Sequence, residues 1–191
     1  MLQINSGHVL IDDIWLWRAD HSVDGLIKDS KNPVATGLQV NGDYVTGYGL
    51  AVEHTLGNLL EWNGNYGQTY FYQSELPYDV TQENFGDKGF VGYKVADNVT
   101  NHDAWGVGVY TFFRDYSVTV INGIQTPATN GINFVDSLAV YLNGGGGIVN
   151  IIDHDGKQVS SSQQVSWECD YHEVKKVNQA KKEAEEMFLQ K

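Results

Sequence analysis

The 191-residue chain is long enough for one domain that buries its own core. With 24 acidic residues against 12 basic ones and a formal net charge of −12, it lacks the basic surface that nucleic acid and anionic membranes demand, whereas a neutral polymer such as a glucan is not repelled. Its one cysteine, Cys169, forms no internal bridge, excludes a multi-cysteine zinc site and reads as a small core or tail hydrophobe.

In chain order, the opening stretch "MLQINSGHVLIDDIWLW" has no basic segment leading into an apolar run and a small-residue cleavage site, so it is not a signal peptide and reads as a strand entered midway. No apolar run reaches the roughly 18 residues of a membrane span. Four β-rich bouts follow: "GHVLIDDIWLWRADH", "TGLQVNGDYVTGYGLAVEHT", "NLLEWNGNYGQTYFYQSELPY" and "FVGYKVADNVTNHDAWGVGVYTFFRD", with a weaker fifth in "INFVDSLAVYLNGGGGIVNIIDHDG". Each holds short runs rich in Val, Ile, Leu, Tyr and Phe between Asn, Asp or Gly corners. Successive bouts begin about 20 to 30 residues apart, a solenoid period. The pattern predicts an all-β fold, a single right-handed parallel β-helix over 1–165, whose coils turn at corners such as Asn41-Gly42-Asp43 and Asn63-Gly64-Asn65. An antiparallel sandwich would use the same corners as hairpins. Residues 166–191 are expected as a helical tail or cap. From Tyr171 to Lys191 the chain is free of Gly and Pro, and Val174, Val177, Ala180, Ala184 and Phe188 recur at helical spacing.

Few motifs carry chemistry outright. Asp12, Asp13, Asp20, His21 and Asp24 lack the spacing of a calcium loop or a zinc helix and read as a surface cluster, so no metal is expected. The "GGGG" at 144 to 147 is not followed by the residues of a phosphate loop, and no cofactor is expected. Trp15 and Trp17 alternate onto one face of a strand, as a sugar-stacking platform or as core, with at least one expected in the core. Trp62 and Trp105 face the same choice. Glu53 and Glu75 lie 22 residues apart, so one coil of that length brings them side by side.

"IDDIWLWRADH" (11 to 21), "VEHT" (52 to 55) and "QSELPYD" (73 to 79) occur in the order and approximate spacing found in the C-terminal β-helix of glycoside hydrolase family 55, and the chain resembles that family from about His8 to Asp155. The resemblance implies a pectate-lyase-like solenoid related to inverting exo-β-1,3-glucanases, with laminarin-type glucan as the polysaccharide partner and an extracellular location. It also implies Glu75 as general acid and Glu53 as the carboxylate that helps hold water and shape the sugar site. His54, Tyr78, Trp17 and Gln73 are the expected substrate-binding residues around them. Members of the family resemble two β-helices packed side by side, and this chain matches only the second. A second β-helix domain or chain is therefore an expected partner, and a non-catalytic module that binds carbohydrate or protein is the alternative. An inverting pair is expected to hold its carboxyls about 6.5 to 9.5 Å apart. A Glu kept protonated near neutral pH needs apolar or like-charged neighbours; Tyr70, Phe71, Tyr72, Pro77 and Tyr78 are the apolar candidates and Glu53 the like-charged one, both acting in the same direction.

Overall fold

A computed structural model describes residues 1–171. The helix expected between 171 and 190 lies, Tyr171 apart, outside the described residues. In chain order the strands are β1 (Leu2–Ile4), β2 (Leu10–Trp17), β3 (His21–Ser22), β4 (Gly25–Leu26), β5 (Leu38–Val40), β6 (Thr46–Glu53), β7 (Leu60–Trp62) and β8 (Gly67–Glu75). A 3₁₀ turn at Gly86–Lys88 leads to β9 (Tyr93–Val95), β10 (His102–Gln125), β11 (Ile132–Ile152) and β12 (Val165–Asp170). The last strand runs across the expected boundary at 165, so 166–170 continue the sheet rather than begin a helical tail.

The pairing settles solenoid against sandwich. Short strands stack in parallel as β1–β5–β7–β9 and onto the end of β10, while the long strands stack in parallel as β2–β6–β8–β10–β11. Among the described residues, antiparallel pairing is confined to the β3–β4 hairpin, the β11–β12 pair and a few isolated bridges. Equivalent residues on successive coils lie 36, 22, 35 and 30 residues apart. The 22-residue coil is the bare one. Two of the longer coils hold their surplus at the same corner, in the segments that follow Trp17 and Glu75, and this is what builds a site there.

Alternation along each strand sends one set of side chains inward. Leu38, Leu60, Tyr93, Ile124 and Ile152 form one fully buried column, and Val40, Trp62 and Val95 a second. The outer surface is laddered by like residues. Asn41 donates to Asn5 at 2.7 Å and Asn63 to Asn41 at 2.8 Å, so the Asn-Gly corners read in the sequence stack coil on coil. A Cβ on Gly64 would lie 1.9 Å from the Gly42 carbonyl oxygen, which is why the corner takes glycine. Each long strand is bent at one register by a residue with positive φ: Asp13, Gly49, Phe71, Gly106 and Asp136, at 48°, 59°, 64°, 66° and 54°. Trp62 is core, whereas Trp105 stacks outside on Tyr70, and Tyr70 on Tyr48, with centroids 4.6 and 4.9 Å apart and interplanar angles of 4° and 12°. Rings so closely stacked cover one another's faces, which makes this ladder a coil-to-coil contact and leaves little face for a sugar. Cys169 is exposed on β12, which rules out the core half of the core-or-tail reading, because the edge strand turns it outward.

His102 is buried among Trp62, Tyr93 and Phe134; its Nε2 lies 2.7 Å from the Tyr93 hydroxyl, while Nδ1 has no hydrogen-bond partner among the described residues. Burial pushes its pKa down to about 3 from an ordinary 6.5. A depressed pKa means that the unfolded chain binds the proton more tightly. The contribution is therefore whole above pH 6.5 and lost as pH falls toward 3, on the order of 5 kcal/mol over that window. Denaturant titrations between pH 7 and pH 3.5 should show this fall. His102→Phe should flatten it, since Tyr93 keeps its 2.7 Å bond to Thr69; an unchanged pH dependence would assign acid sensitivity to other groups.

Candidate active site

The long-strand ladder places Trp17, Glu53, Glu75 and Tyr110 in one row across four coils. Glu53 and Glu75 are thus cross-strand neighbours at the ends of β6 and β8, and the 22-residue spacing does return the chain to the same face. Each carboxylate has one oxygen tied. The Trp15 indole donates to Glu53 Oε2 at 2.8 Å, and the Tyr78 hydroxyl donates to Glu75 Oε1 at 2.6 Å. Trp15 stacks on Trp17 at 5.4 Å, and Trp17 approaches His21 at 5.3 Å. Trp15 is 63% exposed and Trp17 half-buried, so neither is core; the alternation that puts both outward leaves Leu16 to face in. Gln73 points outward one rung below Glu75, in register with Ala51, and makes no side-chain hydrogen bond among the described residues.

His54 follows Glu53 directly, at φ 62° and 2% exposed. The left-handed turn swings its ring in beneath Tyr78, with centroids 4.3 Å apart. Its Nδ1 lies 3.3 Å from the Leu76 carbonyl oxygen; a carbonyl only accepts, so this nitrogen carries the proton. Its Nε2 lies 3.8 Å from Glu75 Oε2 and 3.9 Å from Asp20 Oδ1. Asp20 is the residue that the sequence reading left in a surface cluster. The insert after Trp17 carries it over the carboxylates, away from Asp12 and Asp13 on the body of β2.

Both inserts are held by a buried ion pair that the sequence did not single out. Arg18 donates to Asp79 through both terminal nitrogens, at 3.0 and 2.9 Å, and to the His54 carbonyl at 3.1 Å. Its Nε also meets the carbonyls of Lys31 and Asn32, and Asp79 accepts from the Ser30 amide at 2.9 Å. The side chains are 1% and 3% exposed. No short motif marks the pair, because 61 residues separate its members.

Burial raises the pKa of Glu75, and the charges of Glu53 and Asp20 raise it further, while the Tyr78 bond pulls it back. Burial lowers that of His54. Both displacements favour a protonated carboxyl beside a neutral imidazole. Of the expected apolar neighbours, Tyr78 lies against Glu75, whereas Tyr72 points into the core and Phe71 is exposed at the bend. A protonated carboxyl at this position can deliver a proton to a leaving oxygen. One oxygen of each carboxylate and a His54 nitrogen all lie within 4.8 Å of one another. The same three atoms are the ones in this site able to hold a cation.

A solenoid of strands stacked in parallel, coil on coil, is the architecture of a pectate-lyase-like domain. Residues 1–75 match the model of the LAM55 pectate lyase-like domain. An exo-beta-1,3-glucanase of Streptomyces sp. (strain SirexAA-E / ActE) is 36% identical over 167 residues, covering 85% of this chain and 27% of the relative. The structure of sacteLam55A from Streptomyces sp. SirexAA-E superposes with a TM-score of 0.82 at 35% identity, over 88% of this chain and 31% of that one. A variant of it in complex with glucose gives the same TM-score at 34% identity. The β-helix is that of glycoside hydrolase family 55, and the chain spans about a third of the length of the proteins that it matches.

Proposed function

We propose that this chain is the acid-bearing half of an inverting exo-β-1,3-glucanase acting on laminarin-type glucan outside the cell, with coils of right-handed sense as parallel crossovers almost always have. Glu75 protonates the leaving glycosidic oxygen. Tyr78 orients its carboxyl, and Glu53, fixed by Trp15, keeps it protonated and offers its free oxygen to the sugar. Trp17 and Gln73 line the approach, and His54 holds the floor between the two carboxylates. The observation that carries this reading is the Glu53–Glu75 register with the raised pKa of Glu75. The likeness to an exo-beta-1,3-glucanase supports the choice of substrate.

A second reading has its own support. The matched relatives are about three times longer than this chain. The groups that place the water then belong to a second β-helix, and this chain alone is a module that binds glucan without cleaving it. Incubating the purified chain with laminarin while measuring both released glucose and retention on insoluble glucan separates the two. Glucose release establishes the enzyme, and retention without release the module. Neither release nor retention would sink both.

A further inference from the structure

We infer that Trp167 is a second sugar-binding platform, a distal contact for the glucan chain that the acid site takes in; the inference rests on glucan as the substrate class. The other four of the five tryptophans are accounted for: Trp15 and Trp17 at the carboxylates, Trp62 in the core and Trp105 in the outer ladder. Trp167 is 62% exposed on β12, and its ring stacks on no other aromatic among the described residues. It offers water a wide, flat apolar face with a polar N–H, the kind of surface on which a pyranose ring packs.

The register places this ring. Outward residues on successive strands run Trp15, Ala51, Gln73, Gly108, Leu138 and Trp167, in the row next to that of Glu53 and Glu75. Trp167 therefore lies on the same face of the sheet as the carboxylates, three strand spacings from Glu75, or about 14 Å. That is a span of a few pyranose rings. The ground between is low. A Cβ on Gly108 would lie 2.8 Å from Tyr110 Cε2, so the Tyr110 ring lies back across the glycine instead of standing out from the sheet, and the half-buried Leu138 follows it.

β12 is the last strand of the sheet among the described residues, and a cavity of about 530 Å³ opens beside it, lined by Trp167 with Lys157, Gln163 and Glu168 among others. The size suits a small ligand. Gln163 donates to the Val165 carbonyl at 2.6 Å, which leaves its amide oxygen to accept from a sugar hydroxyl, while Lys157 can donate and Glu168 accept. An aromatic face rimmed by donors and acceptors of both signs fits an uncharged, hydroxyl-rich chain, and the net charge of −12 repels a polyanion. No repeat announces the site, because β12 runs antiparallel and stands outside the coil period.

The test uses the whole chain labelled with fluorotryptophan and carrying Glu75→Gln, so that glucan is not consumed, titrated with laminarin and followed by fluorine NMR. Each tryptophan signal is assigned as the one missing from its Trp→Phe variant. Laminarin should move or broaden the Trp167 signal together with those of Trp15 and Trp17. In the same background, Trp167→Ala should weaken laminarin binding by about three- to tenfold, the order of one ring-stacking contact. Trp167→Tyr, which keeps a ring face, should restore most of that loss. Movement of the Trp15 and Trp17 signals with Trp167 unmoved, or parental affinity in Trp167→Ala, would overturn the inference and leave the substrate reading standing. No response from any tryptophan would overturn both.

Discussion

Glu75→Gln is expected to lower laminarin hydrolysis by about 10²- to 10⁴-fold while leaving fold and glucan affinity intact, in the chain alone or with the second β-helix supplied. The amide keeps the shape of the carboxyl and can still accept from the Tyr78 hydroxyl, but has no acidic proton to deliver. An aryl β-glucoside, whose leaving group needs little protonation, should recover part of the loss. Glu53→Gln should show no such recovery. Equal losses on both substrates for both variants would mean that the two roles are wrongly assigned.

The pH profile supplies a sharper check, because its neighbours act on Glu75 in opposite directions. An acid with a raised pKa works below that pKa and fails as pH climbs through it, so Glu75 sets the alkaline limb. Glu53 and Asp20 raise the pKa through their charge, and Tyr78 lowers it by bonding the carboxylate. Removing one charge with Asp20→Asn should move the alkaline limb to lower pH. Tyr78→Phe should move it to higher pH. Shifts of the same sign in both variants would exclude Glu75 as the group that titrates.

The coil was legible because two independent periodicities agreed: strand bouts at a solenoid period, and Asn-Gly corners that recur 22 residues apart at Asn41 and Asn63 and stack. The Glu53–Glu75 pairing followed from the same number, since a coil without an insert has only one way to bring its chain back. What lay hidden depended on the inserts. The sequence between Trp17 and Leu38 has no period, so nothing indicated that its start folds back and carries Asp20 to His54. Trp15 was ambiguous for a different reason. Two tryptophans on one strand face imply burial by composition, yet here the outward face is the site and Trp15 is spent on a hydrogen bond to Glu53.

The Arg18–Asp79 pair should have the largest effect on stability. Asp79→Asn leaves a guanidinium buried against a neutral amide, and uncompensated buried charge of this kind costs about 3 to 5 kcal/mol. For a chain of this size that is a fall in melting temperature of roughly 10 °C. Arg18→Met should be as damaging, because it strips donors from the carbonyls of Lys31, Asn32 and His54 together with Asp79. The double variant Arg18→Met with Asp79→Leu should recover part of the loss, since packed apolar side chains replace a buried pair better than half of one. The local consequence distinguishes a pin from a general stabiliser. Arg18 holds the His54 carbonyl, and Asp79 lies one residue from Tyr78, so loosening the pair frees both groups that position Glu75. At temperatures where Asp79→Asn is still folded, hydrolysis should therefore fall along with protection of the 18–36 and 76–91 amides from hydrogen exchange, while the strand amides of β7 and β9 stay protected. Uniform loss of protection over the whole solenoid would mean that the pair supports the core and not the two inserts.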